Sequence, residues 1–279
     1  MKKLLFTTAL LAAMVTTAAP AVATAPKTMD VNGCGVAVPA RTVATVQSDF
    51  TCTVTDASGP LGANGIVLGP GATLNLNGHT VTLVQGSFQA TVVKCLGHCT
   101  VGGPGTLTSA AAGTGTAIDA VTSRLQLHDV TVSGMGGGIY AIAADVRATN
   151  VSIQAGFWGV VGARRVTANN VDVALTGGAD AEECISATKG DGKIDGTNVT
   201  VSGCWYGVSS FRATLVGLTV TNSHIGAYVG GKLQLRDSSV TGSAIVDLSS
   251  SMKPKLVNTT CGTSSHVTTD QTWHVCAND

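Results

Sequence analysis

Asn150-Val151-Ser152-Ile153, Asn170-Val171-Asp172-Val173 and Asn198-Val199-Thr200-Val201 are copies of one phrase: an Asx residue followed by apolar, polar and apolar positions. Further copies are Asp129-Val130-Thr131-Val132, Gly217-Leu218-Thr219-Val220, Asp237-Ser238-Ser239-Val240 and Asn258-Thr259-Thr260-Cys261. An interval of roughly 20 residues is too short for a helical hairpin repeat and suits one turn of a β-solenoid. The residues two and four before the Asx are also apolar or small, as in Leu125/Leu127, Val146/Ala148, Val166/Ala168 and Leu233/Leu235. Period-2 alternation on both sides of one Asx predicts two strands that bury alternate residues and meet at a tight bend. Asn and Asp tolerate the left-handed backbone such a bend needs, and Gly217 and Gly78 stand in for the same reason. Stacked turn on turn, the Asx side chains are expected to hydrogen-bond along the coil as a ladder.

A third apolar segment follows most of these bends: Gly138-Ile139, Gly159-Val160, Cys184-Ile185, Gly207-Val208, Gly226-Ala227 and Ala244-Ile245, with an earlier copy at Gly65-Ile66. Three strands per turn make a triangular parallel coil, wound continuously with no crossover helices. One turn is too long. Between Asn170 and Asn198 both segments flanking the third strand are extended, Thr176 to Glu183 before it and Thr188 to Lys193 after it. Insertions in a solenoid map to loops, and loops carry function more often than the scaffold does.

Composition agrees with a coil. Of 279 residues, 11% are charged and 4% aromatic, and 35 are Gly. The chain is too apolar for disorder and too interrupted by Gly for long helices. Lys2 and Lys3, the apolar run Leu4 to Val15 and Ala21-Val22-Ala23 read as an export signal cleaved after Ala23, so a secreted, extracellular or periplasmic protein is expected. The expected organisation is 1–23 signal peptide, 24–60 N-terminal cap, 61–260 coil and 261–279 C-terminal cap. No later run of about 18 apolar residues predicts a membrane span. Removing Lys2 and Lys3 from the 16 basic residues leaves 14 against 16 acidic ones, and no basic run or stripe is visible. Nucleic acid is therefore not an expected partner, and a monomer without cofactor is expected.

All eight cysteines follow the signal, an even count in an oxidising compartment. Neighbours on adjacent turns are the physical choice of partners: Cys34–Cys52, Cys95–Cys99, Cys184–Cys204 and Cys261–Cys276. Cys95-Leu96-Gly97-His98-Cys99 has the look of a metal site, but no second Cys/His pair at ligand spacing accompanies it, so a disulfide and no metal is the expectation.

The phrase Leu74-Asn75-Leu76-Asn77-Gly78-His79-Thr80-Val81 follows the Cys34…Cys52 segment and precedes the Asx-Val-x-Val turns. Together these resemble exported bacterial right-handed parallel β-helix repeat proteins of the pectate-lyase-like superfamily. The resemblance covers nearly all of the chain after the signal. It implies an all-β, single-stranded right-handed parallel β-helix of about nine three-strand turns, with disulfide-tied end caps. It implies no particular activity, since this fold hosts lyases, hydrolases, epimerases, adhesins and inert shafts. The catalytic patterns of its polygalacturonases and the acidic calcium face of its pectate lyases are not found in this sequence.

Aligned on the Gly before the third strand, successive turns place Phe157-Trp158, Glu182-Glu183, Trp205-Tyr206 and His224-Ile225 in one wall. Glu182 and Glu183 should lie between aromatic turns, with Asp180 in the same loop, Asp191 in the loop across the strand, and Ser186 pointing outward between them. Ring faces for stacking beside carboxylates that accept hydroxyl hydrogen bonds suit a sugar-binding cleft, with Phe157, Trp158, Trp205, Tyr206, His224 and Ser186 as binding residues. The expected role is a binding or structural module contacting carbohydrate or a cell-surface polymer. The alternative is a polysaccharide lyase or glycoside hydrolase using Glu182, Glu183, Asp180 or Asp191 as acids. A third reading is an ice-binding solenoid. It rests on outward pairs such as Thr80/Thr82, Thr106/Thr108, Thr131/Ser133 and Thr219/Thr221, which Gln154, Asp172 and Ala174 interrupt. His79 falls in an inward column, one after the bend, and is read as a satisfied, partly buried histidine.

Overall fold

The computed structural model describes residues 25–54, 63–85, 90–121, 123–269 and 271–279. Residues 1–24, with the expected export signal and its Ala23 cleavage point, lie outside them. The chain is an all-β parallel solenoid, its strands joined in one continuous sheet. Strands before the bend stack as Lys27–Val31, Thr42–Val46, Thr73–Asn75 and so on to Lys255–Val257, every pair parallel. Nine complete turns run from Thr42 to Ser250. A further turn of short strands follows at Lys255–Val257, Thr260–Cys261 and Ser264–His266. At the other end, Lys27–Val31 and Val36–Val38 are already in coil register, so the coil begins inside the stretch expected to be a cap. No helix among the described residues is long and apolar enough to cross a membrane.

The alternation read from the sequence is the packing that results. In the strand Arg165–Leu175 burial alternates on both sides of Asn170, with Val166, Ala168, Val171 and Val173 facing in. The third face contributes Ile118, Ile139, Val160, Ile185 and Val208, all 0% exposed. Each buried Val or Leu side chain contributes about 1.5–3 kcal/mol, so the interior column supplies most of the driving force.

The bends are left-handed as expected. Asp129, Asn150, Asn170, Asn198, Asp237 and Asn258 have φ between 48° and 57°. Their side chains form the ladder, each amide donating from Nδ2 toward the preceding turn: Asn150 to Asp129 Oδ1 (2.8 Å), Asn170 to Asn150 Oδ1 (3.0 Å) and Asn198 to Asn170 Oδ1 (3.0 Å). At Gly217 the ladder stops, because glycine has no side-chain amide to donate; a Cβ there would lie 3.0 Å from Asn198 Oδ1. A second run starts at Asp237, which accepts from Asn258 at 3.0 Å. Both runs begin on Asp. The first acceptor of a run needs no donor of its own, so a carboxylate fits only there. Hydrogen bonds from Asn150 and then His128 hold the Asp129 carboxyl below its ordinary pKa.

All four expected disulfides are present: Cys34–Cys52, Cys95–Cys99, Cys184–Cys204 and Cys261–Cys276. The C-terminal segment folds back on the last turn. Trp273 donates its indole N–H to the Ser250 carbonyl at 3.2 Å, and the Asp279 side chain accepts the N–H groups of Val275 (2.7 Å) and Cys276 (2.9 Å) as well as both donors of Ser264. Burial raises the Asp279 carboxyl, but the hydrogen bonds from Ser264, Cys276 and Val275 outweigh it and leave it below its ordinary value.

His79 is satisfied and partly buried as expected, but it does not face inward. Asn77 and Gly78 both take positive φ, and this bend carries two residues more than the Asx bends from Asp129 onward, so His79 stays out of the core. There its Nδ1 lies 3.2 Å from Asp49 Oδ1, which also accepts the Thr80 N–H at 2.9 Å.

The ladder makes a quantitative demand on Asn170. Asn170→Ala removes one donated and one accepted hydrogen bond and puts a β-carbon residue without a local partner at positive φ. It should cost about 2–3 kcal/mol, and Asn170→Gly, which relieves the backbone, about 1 kcal/mol less. Urea unfolding of both variants checks this, and a Gly variant no more stable than the Ala variant would refute the left-handed bend.

Candidate functional site

The long turn keeps its register. Val171 pairs Val199 and Val173 pairs Val201, although Asn170 and Asn198 are 28 residues apart where the other rungs of the ladder are 20 or 21 apart. The excess therefore leaves the coil on either side of the strand Glu183–Ala187. Before that strand, Thr176 and Gly177 still hydrogen-bond to Ala155 and Gly156, and a short 3-10 turn, Gly178–Asp180, follows. After it the chain makes a turn closed by Gly192 N–H to Lys189 O at 2.7 Å.

Register then stacks the wall. Gly137 pairs Trp158, Glu183 pairs Tyr206, and Tyr206 pairs Ile225. One position earlier, Glu182 N–H donates to Phe157 O, and Trp205 and His224 follow on the next turns. Glu182 thus lies between the Phe157 and Trp205 turns, and Glu183 between those of Trp158 and Tyr206.

Glu182 and Glu183 line a cleft of about 500 Å³ together with Trp158, Tyr140, Asp119, Thr91, Thr116 and Thr188. The Tyr140 and Trp158 rings meet at 5.7 Å and 51°, a corner with two differently inclined faces. Gly137 makes this possible. A Cβ on Gly137 would sit 2.3 Å from the Trp158 ring, so only glycine lets the indole lie down across the neighbouring turn. Trp158 Nε1 is buried there without a hydrogen-bond partner among the described residues. Asp119 is tied to Lys94 at 3.5 Å, whereas neither glutamate carboxylate has an ion pair among the described residues. On the far side of the glutamates a smaller hollow of about 240 Å³ is lined by Trp205 and Tyr206. His224 stacks flat on Trp205 at 4.2 Å and 14°, and Tyr206 leans on Tyr228 at 5.3 Å.

Other expected residues stand apart. Ser186 occupies an outward column, paired with Val161 and Ser209, yet is only 1% exposed and offers no surface to a ligand. Asp180 is exposed on the 3-10 turn, outside the cleft lining. Asp191 faces another hollow, with Asp145, Arg164, Arg165, Lys193 and Arg212, and does not join the glutamates. Among the described residues no cluster of His, Cys, Asp or Glu is arranged to hold a metal ion.

Tyr140, Asp119, Thr91 and Thr116 were missed by the sequence reading. Tyr140 and Asp119 are outward residues of third strands in the turns before the long one, and Thr91 and Thr116 stand at or near the starts of such strands. Extending the alignment from the Gly-Ile starts into the strands themselves would have found Asp119 and Tyr140, which are register partners. A basic stripe is likewise not visible in the linear sequence, because its members are brought together only by register: Arg165 pairs Lys193, and Lys193 pairs Arg212. The Thr face is in register as well, with Thr80, Thr106, Thr131 and Ser152 in one column that continues through Asp172 to Thr200 and Thr219.

Comparison of the chain with protein-family models, with curated proteins and with solved structures gives no match.

Gly137 offers a direct probe of the cleft geometry. With Trp205 and Trp273 replaced by Phe, Gly137→Val should expel the Trp158 indole into water and shift its emission to longer wavelength, with the coil still folded by circular dichroism. Unchanged emission would contradict the packing of the indole on Gly137.

Proposed function

We propose that this is an exported parallel β-helix protein that binds a carbohydrate chain in the cleft of the long turn. The carrying observation is the convergence of Tyr140 and Trp158 with Glu182 and Glu183, which have no ion pair among the described residues, around about 500 Å³. Aromatic faces stack on the apolar faces of sugar rings, and carboxylates and threonine hydroxyls accept and exchange hydroxyl hydrogen bonds around them. The Trp205 and Tyr206 hollow on the next turn extends the same wall along the coil axis, so the ligand is a chain rather than a single sugar. Export rests on Lys2, Lys3 and the apolar run to Ala23, and the pectate-lyase-like affiliation on the phrase around Asn77.

A polysaccharide lyase or hydrolase is the second reading, favoured by two carboxylates side by side in a cleft. Ice binding by the Thr face ranks below both, because Asp172, Gln154 and Ala174 interrupt its hydroxyl columns.

One screen decides among them. A panel of polysaccharides is read for retention and for release of reducing or unsaturated ends. Retention should weaken at least tenfold in Trp158→Ala, with no product released. Product release lost in Glu182→Gln or Glu183→Gln would establish the enzyme instead. No retention and no turnover on any glycan would overturn the carbohydrate reading, and thermal hysteresis lost in Thr219→Lys would replace it.

A further inference from the structure

The corner between the third strand and the next turn carries a line of cations. Arg165, Lys193 and Arg212 are successive register partners. Ala213 pairs Leu233, which places Lys232 beside Arg212, and Gln234 pairs Lys255, which places Lys253 beside Lys232. Five consecutive turns thus present a Lys or Arg at one position, with Arg164 adjacent. Arg164, Arg165, Arg212, Lys232 and Lys253 are exposed.

Like charges stacked directly opposite on neighbouring strands destabilise a sheet. Lys193 is compensated by Asp195 at 2.9 Å. The other cations of the line have no ion pair among the described residues, and Arg212 packs instead over the Phe211 ring at 5.6 Å. A chain in which only 11% of residues are charged concentrates them here. Arg164, Arg165, Lys193 and Arg212 line a hollow of about 380 Å³ together with Asp145 and Asp191, which leaves the cations in excess.

We infer that this line binds a linear acidic glycan lying parallel to the coil axis, outside the cleft. Turns repeat every about 4.8 Å, so the five cations span about 19 Å in a straight, even row. One residue of an extended pyranose chain advances by a similar distance, so one anionic group per sugar meets one cation per turn. A globular partner has no reason to repeat its charges at that interval. Duplex nucleic acid advances about 3.4 Å along its axis per phosphate of a strand and winds those phosphates around the helix, so they do not follow a straight row at one charge per turn, and single strands need several aromatic platforms where the described residues of this row offer Phe211 alone. Sulfate esters and carboxylates share the required chemistry, both accepting paired N–H donors from arginine.

The test measures binding of the full chain to dextran sulfate, a polyuronate and uncharged dextran between 50 and 500 mM salt. Binding to at least one charged glycan should fall steeply with salt, as counterion release requires, and uncharged dextran should not bind at this row. The two charged arms separate sulfate from carboxylate recognition. Arg165→Glu/Arg212→Glu/Lys232→Glu should weaken the charged glycan at least tenfold. The corresponding triple Gln variant should weaken it less, and it covers the case in which charge reversal impairs folding. Trp158→Ala should leave this binding unchanged, which keeps it distinct from the cleft. Salt-independent binding, full binding by both triple variants, loss in Trp158→Ala, or tighter binding of single-stranded DNA would each overturn the inference.

Discussion

Most of this molecule hangs on one backbone conformation repeated in most turns: an Asx residue, or Gly217 in one turn, held at positive φ between two strands. Left-handed backbone costs an ordinary L residue about 1–2 kcal/mol, and Asn and Asp are spared part of that by local hydrogen bonds. Here the side-chain partner is the Asx of the neighbouring turn, as in Asn170 Nδ2 to Asn150 Oδ1 at 3.0 Å. The bend and the ladder are therefore one device. It turns the chain by a fixed amount and aligns each turn with the one before it. Asp at the start of each run follows from the direction in which the amides donate, and the interruption at Gly217 from its missing side chain.

Because register is set at the bend, the rest of a turn is free to lengthen. The excursion between Asn170 and Asn198 leaves the strands on both sides in register and projects its extra residues around Glu183–Ala187. This is how a scaffold with no chemistry of its own holds two glutamates between aromatic turns. The same register that stacks Phe157, Glu182 and Trp205 at one edge of the third face lines up Arg165, Lys193 and Arg212 at the other. Cleft and basic line are consequences of a single periodicity.

The coil was legible because its determinants are local and repeated. Apolar alternation around Asn150 or Asn170, an Asx at the bend and cysteines one turn apart can each be read without knowing the fold. The glutamate wall was legible too, since it needed only alignment on the Gly before the third strand. What remained hidden depends on sums over turns. Tyr140 and Asp119 belong to the cleft because Trp158 lies down over Gly137, and a missing side chain carries no signal in a sequence. Ser186 has outward parity but is covered by its neighbours, and parity does not report covering. Asp191 falls across the strand from the glutamates, with the arginines, because the second insertion closes on itself at Gly192. The basic line was invisible as a run, since its members lie a whole turn apart in the chain.

The central claim is that register is preserved across the long turn, and peptide mapping of the unreduced protein tests it most directly. Cys184 lies at the start of the third strand of the long turn and Cys204 just before that of the next, with Cα atoms 5.7 Å apart. Proteolysis without reduction should yield one peptide pair joined through Cys184 and Cys204. Cys184 recovered as a free thiol, or joined to any other cysteine, would contradict the stacking on which the cleft depends.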